Sequence, residues 1–192
     1  MQEKINKITG QPIPLTRDDV DTDLIIPAQY LTAVTRKGYG ENLFRRLREN
    51  DKDFVFNQPQ YAKASILVTQ RNFGCGSSRE HAVWALQEAG IQAIIAVSFA
   101  DIFFNNSAKN SLVLITLPET VIKSLLANAI ENSYQLTIDI EQQKIEPNKN
   151  ESYNFDIDPF RKHCLIQGID ELDYLLHHLP EIEEYEKKRV NK

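Results

Sequence analysis

Residues 71–90 read RNFGCGSSREHAVWALQEAG, and the chemistry they offer is anion binding beside a hydroxyl group. Cys75 lies between Gly74 and Gly76 in a chain with only seven glycines, and Ser77, Ser78, Arg79, Glu80 and His81 follow. The apolar run over 64–69 that precedes them reads as a buried strand ending on the β-branched Thr69. After Ser78, residues Ala82, Ala85, Leu86 and Ala89 share one helical face and Gly90 is a stop, which predicts a helix over 78–89. A strand-to-helix junction presents unpaired N–H groups and the positive end of the helix dipole, a ready site for an anion.

Structural explanations compete with this one. Ser77 followed three residues later by Glu80 is a capping box, which accounts for both residues without any chemistry. It does not account for Arg79, a cation in a first turn where the helix dipole opposes it unless a carboxylate pairs with it. Cys75 has no base and orienter at a recognisable spacing, so a small buried thiol is expected. Neither G-x-S-x-G nor G-x-x-x-x-G-K-[ST] is present. In DDVDTDLIIPAQYL, Asp19, Asp21 and Asp23 resemble the start of a calcium loop. Leu24 stands where that loop needs Gly and Tyr30 where it needs Glu, so a solvated turn before a strand is expected instead. Arg36 and Lys37 read as surface charge at this level. The four histidines include no H-x-x-x-H pair, and no metal site follows.

The elements that must position these residues belong to a chain of 192 residues, 42% hydrophobic and 26% charged, ordinary values for a globular protein. A formal net charge of −5 without a basic face argues against nucleic acid as a partner. The N-terminus shows no apolar signal segment and no run reaches the length of a membrane span. Two cysteines far apart in sequence fit a reducing compartment, so a cytoplasmic protein is expected.

Residues 1–60 look irregular, punctuated by Pro12, Pro14 and Pro27, with a short helix allowed over 42–49. Strands over 65–69 and 92–97, joined by the helix over 78–89, predict a right-handed parallel βαβ unit. A helix over 100–109 and a strand over 112–117 come next. Pro118 then opens a helix whose Val121, Ile122, Leu125, Leu126, Ala129 and Ile130 fit one face. Alternation over 134–140 predicts a half-buried strand, with 144–146 pairing back on it. Beyond a loop at 147–152, Leu172, Leu175, Leu176 and Leu179 form a stripe that must cover something. One α/β domain over 1–150 with a C-terminal helical extension over 151–192 is the expected organisation.

Taken in order, VDTDLIIPAQYL, NFGCGSSREHAVWAL, SFADIFFNNSAKN and DPFRKHCLIQGIDELDYLL resemble the small subunits of 3-isopropylmalate dehydratase, of the aconitase superfamily and the bacterial type. The resemblance runs from about residue 3 to residue 185. It implies a swivelling β/β/α domain that closes over a [4Fe–4S] cluster carried by a separate large subunit, with no cofactor bound by this chain. The implied reaction removes water from one hydroxy-acid isomer and returns it at the neighbouring carbon. The cluster supplies a Lewis acid for the departing hydroxyl, and a base takes the adjacent proton. By similarity Ser77 matches the base in its alkoxide form, Ser78 and Arg79 match residues that hold a substrate carboxylate, and Arg36 matches a further substrate-binding arginine. Asp23 matches an aspartate with a supporting role. On this reading the glycines of the turn let backbone approach the substrate, whose carboxylate pairs Arg79. The neutral segment Tyr30, Leu31, Thr32 suits an isopropyl group, where homoaconitate relatives carry an arginine. Citraconate- or homoaconitate-type dehydratases, and a stand-alone anion-binding module, are the alternatives. Val83 stands where relatives commonly have Pro, and Ser111, Val113 and Leu114 where they have Gly, Leu and Pro, which puts the shape of that loop in question.

Overall fold

Short apolar runs that do not alternate belong in parallel strands covered on both faces, and this chain places them there. A computed structural model describes residues 3–31, 37–149 and 151–190. Along the chain the elements are β1 Lys7–Gly10, β2 Pro12–Leu15, α1 Thr22–Ile25, α2 Arg45–Asn50, β3 Ile66–Thr69, α3 Glu80–Glu88, β4 Ala93–Ala96 and α4 Asp101–Lys109. They continue with β5 Val113–Thr116, α5 Glu119–Asn128, β6 Leu136–Asp139, β7 Lys144–Pro147, β8 Tyr153–Asn154, α6 Pro159–Gln167, α7 Glu171–His177 and α8 Leu179–Val190.

Strands β2-β3-β4-β5, in that order, form a parallel sheet, and β1-β6-β7-β8 form an antiparallel one. The two-residue period of the strands assigns their side chains to two cores. Ile13, Leu67 and Ile94 pack with Ala82, Val83, Ala85 and Leu86 of α3 and with Phe103 of α4. Ile66, Val68, Ala93, Ile95, Val113 and Ile115 face the other way, onto α5 and the inner side of the antiparallel sheet at Leu136, Ile138 and Ile145. The layering is therefore helices, parallel sheet, then antiparallel sheet with α5, as the β/β/α expectation required. The predicted βαβ unit is present as β3-α3-β4, and 144–146 does pair back on the strand before it.

Four expectations are corrected. Residues 1–60 contain two strands: β2 carries Pro12 and Pro14 because it lies at the sheet edge, where a missing N–H costs no ladder bond. The aspartate cluster leads into a helical turn rather than a strand, since Asp21 accepts from Leu24 N at 2.6 Å and caps α1. Ile130 lies past the end of α5 and is 68% exposed. Leu172, Leu175, Leu176 and Leu179, expected to cover something, are 63%, 54%, 56% and 45% exposed.

The segment after residue 150 is stitched to the body by β8 on the antiparallel sheet, by buried Phe155 and Leu165, and by a bond from Ile5 N to the Leu165 carbonyl at 2.9 Å. Ser111 has φ of 56°, so it keeps the left-handed turn that a glycine would make there.

Candidate active site

The turn between β3 and α3 is built by strand-like pairing with residues 19–22. Asp19 N donates to the Arg71 carbonyl at 2.9 Å, Gly74 N to the Val20 carbonyl at 2.7 Å, and Thr22 N to the Cys75 carbonyl at 2.9 Å. Thr22 adds a second tie: its hydroxyl donates to the Ser77 carbonyl at 2.8 Å. The two sequence segments singled out separately, one acidic and one glycine-rich, are thus one ladder.

Within it, both glycines have positive φ, 79° at Gly74 and 89° at Gly76, a region that disfavours side chains. A Cβ on Gly74 would stand 2.2 Å from Phe103 Cγ, and one on Gly76 would face Asp21 and Thr22. Gly74 thus has a structural reason of its own, the close approach of Phe103 of α4, while at Gly76 the positive φ is the constraint.

The capping box does not form. The N-cap of α3 is Arg79, in extended conformation, with no side-chain cap bond, and the helix begins at Glu80 rather than at residue 78. The Glu80 carboxylate instead accepts from Asn110 Nδ2 at 2.8 Å. Ser77 and Ser78 are exposed, and Ser77 Oγ has no hydrogen-bond partner among the described residues.

The conflict of a cation at a helix start is resolved inside the protein. Arg79 Nη1 donates to Asp23 Oδ1 at 2.6 Å and to the Ile26 carbonyl at 3.2 Å. Arg46 donates to the other oxygen of the same carboxylate, and Ala28 N to Oδ1 at 3.1 Å. The Arg79 guanidinium, with help from the Ala28 N–H and Arg46, holds the Asp23 carboxyl below its ordinary range, against the opposing effect of burial. Two guanidiniums on one carboxylate leave the cluster one unit positive, and only 18% of the Arg79 side chain is exposed. The site can therefore hold an anion beside an uncommitted hydroxyl.

The structure brings Ser77, Ser78, Arg79 and Asp23 together. Tyr30 and Leu31 follow α1 and are half-buried against the core that holds α3. Arg36 and Thr32 lie outside the described residues. Just beyond Arg36, the backbone N–H groups of Gly38, Tyr39 and Gly40 donate to the Glu88 carboxylate at 2.7, 2.6 and 2.8 Å. These bonds pull the Glu88 carboxyl below its ordinary range. Cys75 is half-buried; burial, then the Asp21 and Asp19 carboxylates, push its thiol up, away from the reactive thiolate. The His81 ring packs edge-on against Tyr39 and Trp84.

Arg46, Thr22, Glu88 and Asn110 were not legible as site residues. Each acts across 23 to 55 positions of sequence, and no local pattern marks such a pairing. A cavity of about 420 Å³ lies elsewhere, between α4, α6 and α7, lined by Phe104, Leu112, Arg161, Cys164, Leu172 and Leu175 among others. None of Asp23, Ser77, Ser78 or Arg79 lines it.

The family model of the aconitase C-terminal domain matches residues 2–120. A 3-isopropylmalate dehydratase small subunit from Francisella tularensis subsp. novicida is 50% identical over 187 residues, 97% of this chain and 98% of that protein. One from Magnetococcus marinus is 48% identical over 201 residues, 97% and 94% of the two chains. A crystal structure of 3-isopropylmalate dehydratase from Methanocaldococcus jannaschii, 29% identical, covers 95% of this chain and 99% of that one with a TM-score of 0.66.

Proposed function

The chain belongs to the aconitase C-terminal domain family and, within it, to the 3-isopropylmalate dehydratase small subunits; from that premise we propose which of its residues do the chemistry. It is one subunit of a hydro-lyase that interconverts 2- and 3-isopropylmalate in leucine biosynthesis, and the small-subunit relatives imply a large-subunit partner. Ser77 takes the proton from the carbon next to the one bearing the hydroxyl, while Ser78 and Arg79 hold a substrate carboxylate. The observation that carries this reading is Arg79, fixed on Asp23 beside a Ser77 hydroxyl that the fold leaves uncommitted.

A serine hydroxyl becomes a base only where its anion is stabilised. The positive end of α3 and the positive cluster of Arg79, Arg46 and Asp23 are what lower that cost. Asp23 positions the guanidinium, so that binding a carboxylate does not require ordering a free side chain. Arg36 is assigned to a second substrate contact on the resemblance alone.

The [4Fe–4S] cluster belongs to the large subunit in this reading, because the donors here do not fit one. A cluster needs three or four thiolates. This chain has two cysteines, Cys75 and Cys164, and burial pushes both thiols up. The same reading has a hydroxy-dicarboxylate as substrate, no nucleic acid or membrane partner, and a cytoplasmic location. Among the described residues no helix is long and apolar enough to cross a membrane.

Substrate choice rests on Tyr30, Leu31 and Thr32, which present no charge. Burying an isopropyl group against them contributes on the order of 2 kcal/mol, so isopropylmalate should be preferred to homoaconitate, citraconate or citrate.

Reconstitution tests the whole. The isolated chain should be colourless, free of iron and inactive, and isopropylmalate turnover should appear when the cluster-bearing large subunit is added. Turnover by the isolated chain would overturn the reading, and equal specificity constants for the four acids would overturn the substrate assignment. In the complex, Arg79→Lys should weaken binding more than turnover, because an ammonium cannot reproduce a planar two-point grip.

A further inference from the structure

Asn110, at the C-cap of α4, is 6% exposed, and its polar groups are engaged on all sides. Its amide nitrogen donates to Glu80 Oε1 at 2.8 Å and to the Asn106 carbonyl at 2.8 Å. Its amide oxygen accepts from Trp84 Nε1 at 3.0 Å, and its backbone carbonyl from Gln87 Nε2 at 2.6 Å. Positions 80, 84 and 87 lie on one face of α3, so a single residue grips that helix over two turns. The grip starts at the residue immediately after Arg79.

The grip also decides a competition. Local sequence favours a box in which Ser77 Oγ accepts from the Glu80 N–H while the Glu80 carboxylate reaches back to the Ser77 N–H. Both would then be consumed as a cap. In the structure Glu80 is turned to Asn110, the helix starts two residues later, and Ser77 stays outside it. We propose that Asn110 is a positioning residue for the reaction: by holding the Glu80 carboxylate it keeps Ser77 from becoming an N-cap and sets where Arg79 stands on Asp23. This rests on the assignment of Ser77 and Arg79 given above. Packing alone would use Asn110 to join two helices, and would leave Ser77 unaffected by its loss.

The test uses the reconstituted two-subunit enzyme at a temperature well below unfolding. Asn110→Ala should lower kcat by roughly 10- to 100-fold, the range for a reacting group misplaced by about an ångström. In the Ser77→Ala background it should lower kcat almost no further, because both changes act on the same base, and its effect through Arg79 should appear in KM. Asn110→Asp keeps the shape but sets a carboxylate against Glu80. Lys109 is next in the chain, and His81, next to Glu80, packs on Trp84. Activity of Asn110→Asp relative to the unmodified enzyme should rise as pH falls and one proton comes to bridge the two carboxylates. Adding Glu80→Gln should recover several-fold of the lost kcat at neutral pH, since Gln can donate to Asp in the reverse sense. Should Asn110→Ala not fold, Asn110→Asp and its Glu80→Gln partner answer the question. Wild-type kcat and pH profile in the Asn110 variants, with only a lower Tm, would overturn the proposal. If Ser77→Ala and Arg79→Lys themselves keep wild-type activity, the site assignment fails, and the two failures are thus told apart.

Discussion

Helices α3 and α7 both begin at a sequence that can form a capping box, and only the less obvious one does. At α7, Asp170 Oδ1 accepts from Asp173 N at 2.7 Å, and the Asp173 carboxylate returns to the Asp170 N–H. At α3, Ser77 and Glu80 fit the consensus better and decline it. The difference lies in what surrounds them. Among the described residues the Asp170 and Asp173 carboxylates bond only each other's backbone N–H, so the local preference has no rival. Glu80 faces Asn110, whose amide is buried and would be costly to leave unpaired, and that bond outcompetes the cap. A local motif reports a local minimum; tertiary partners decide whether it is occupied.

The largest expected effect is on the turn before α3. Gly74→Ala places a methyl group into Phe103 and into the left-handed region at once, and should cost about 2–4 kcal/mol, combining overpacking with the backbone penalty. Urea unfolding of the isolated chain measures it. An unchanged midpoint would show that the turn is slack rather than locked against α4.

Next comes Ser77→Ala in the complex, expected to lower kcat by at least ~10²-fold with little change in KM. Ser77 is not a cap. The same change should cost well under the ~1 kcal/mol of a lost N-cap, whereas Asp170→Ala should cost about that much. Equal stability losses at the two positions would break the contrast. So would a Ser77→Ala complex that assembles normally and turns over at the wild-type rate.

A smaller effect concerns the far end of α3. The Glu88 carboxyl is lower in the folded state than in the unfolded chain, because three N–H groups bind its anion. Its contribution is present above the ordinary carboxylate range and is lost as pH falls through the depressed folded value. Glu88→Gln should therefore be less stable than the unmodified chain at pH 7, and the gap should close as pH falls below about 4. A gap that widens in acid would contradict the assignment. Smallest of all, Leu176→Ala on the exposed face of α7 should shift stability of the isolated chain by no more than ~0.5 kcal/mol, as for an ordinary surface position.

Sequence alone determined the elements whose signals are local. The strands β3, β4 and β5, the helices between them and the hairpin of β6 and β7 follow from apolar period, and period is dictated by backbone geometry. It also determined which residues are chemically capable: a hydroxyl, a guanidinium and a carboxylate in two recognisable motifs. The edge strands β1 and β2 were lost to it, β2 because prolines that read as irregular are harmless where no neighbour needs their N–H. So was the packing role of Gly74, which lets Phe103 close against the turn. Only the tertiary structure decided that Asp23 and Arg46 flank Arg79, that Glu80 answers to Asn110, and that Ser77 is left uncommitted. Those outcomes are competitions between hydrogen bonds of similar strength. At Asn110 burial settles it by making an unpaired amide costly, and neither burial nor a distant partner is written in any local stretch of chain.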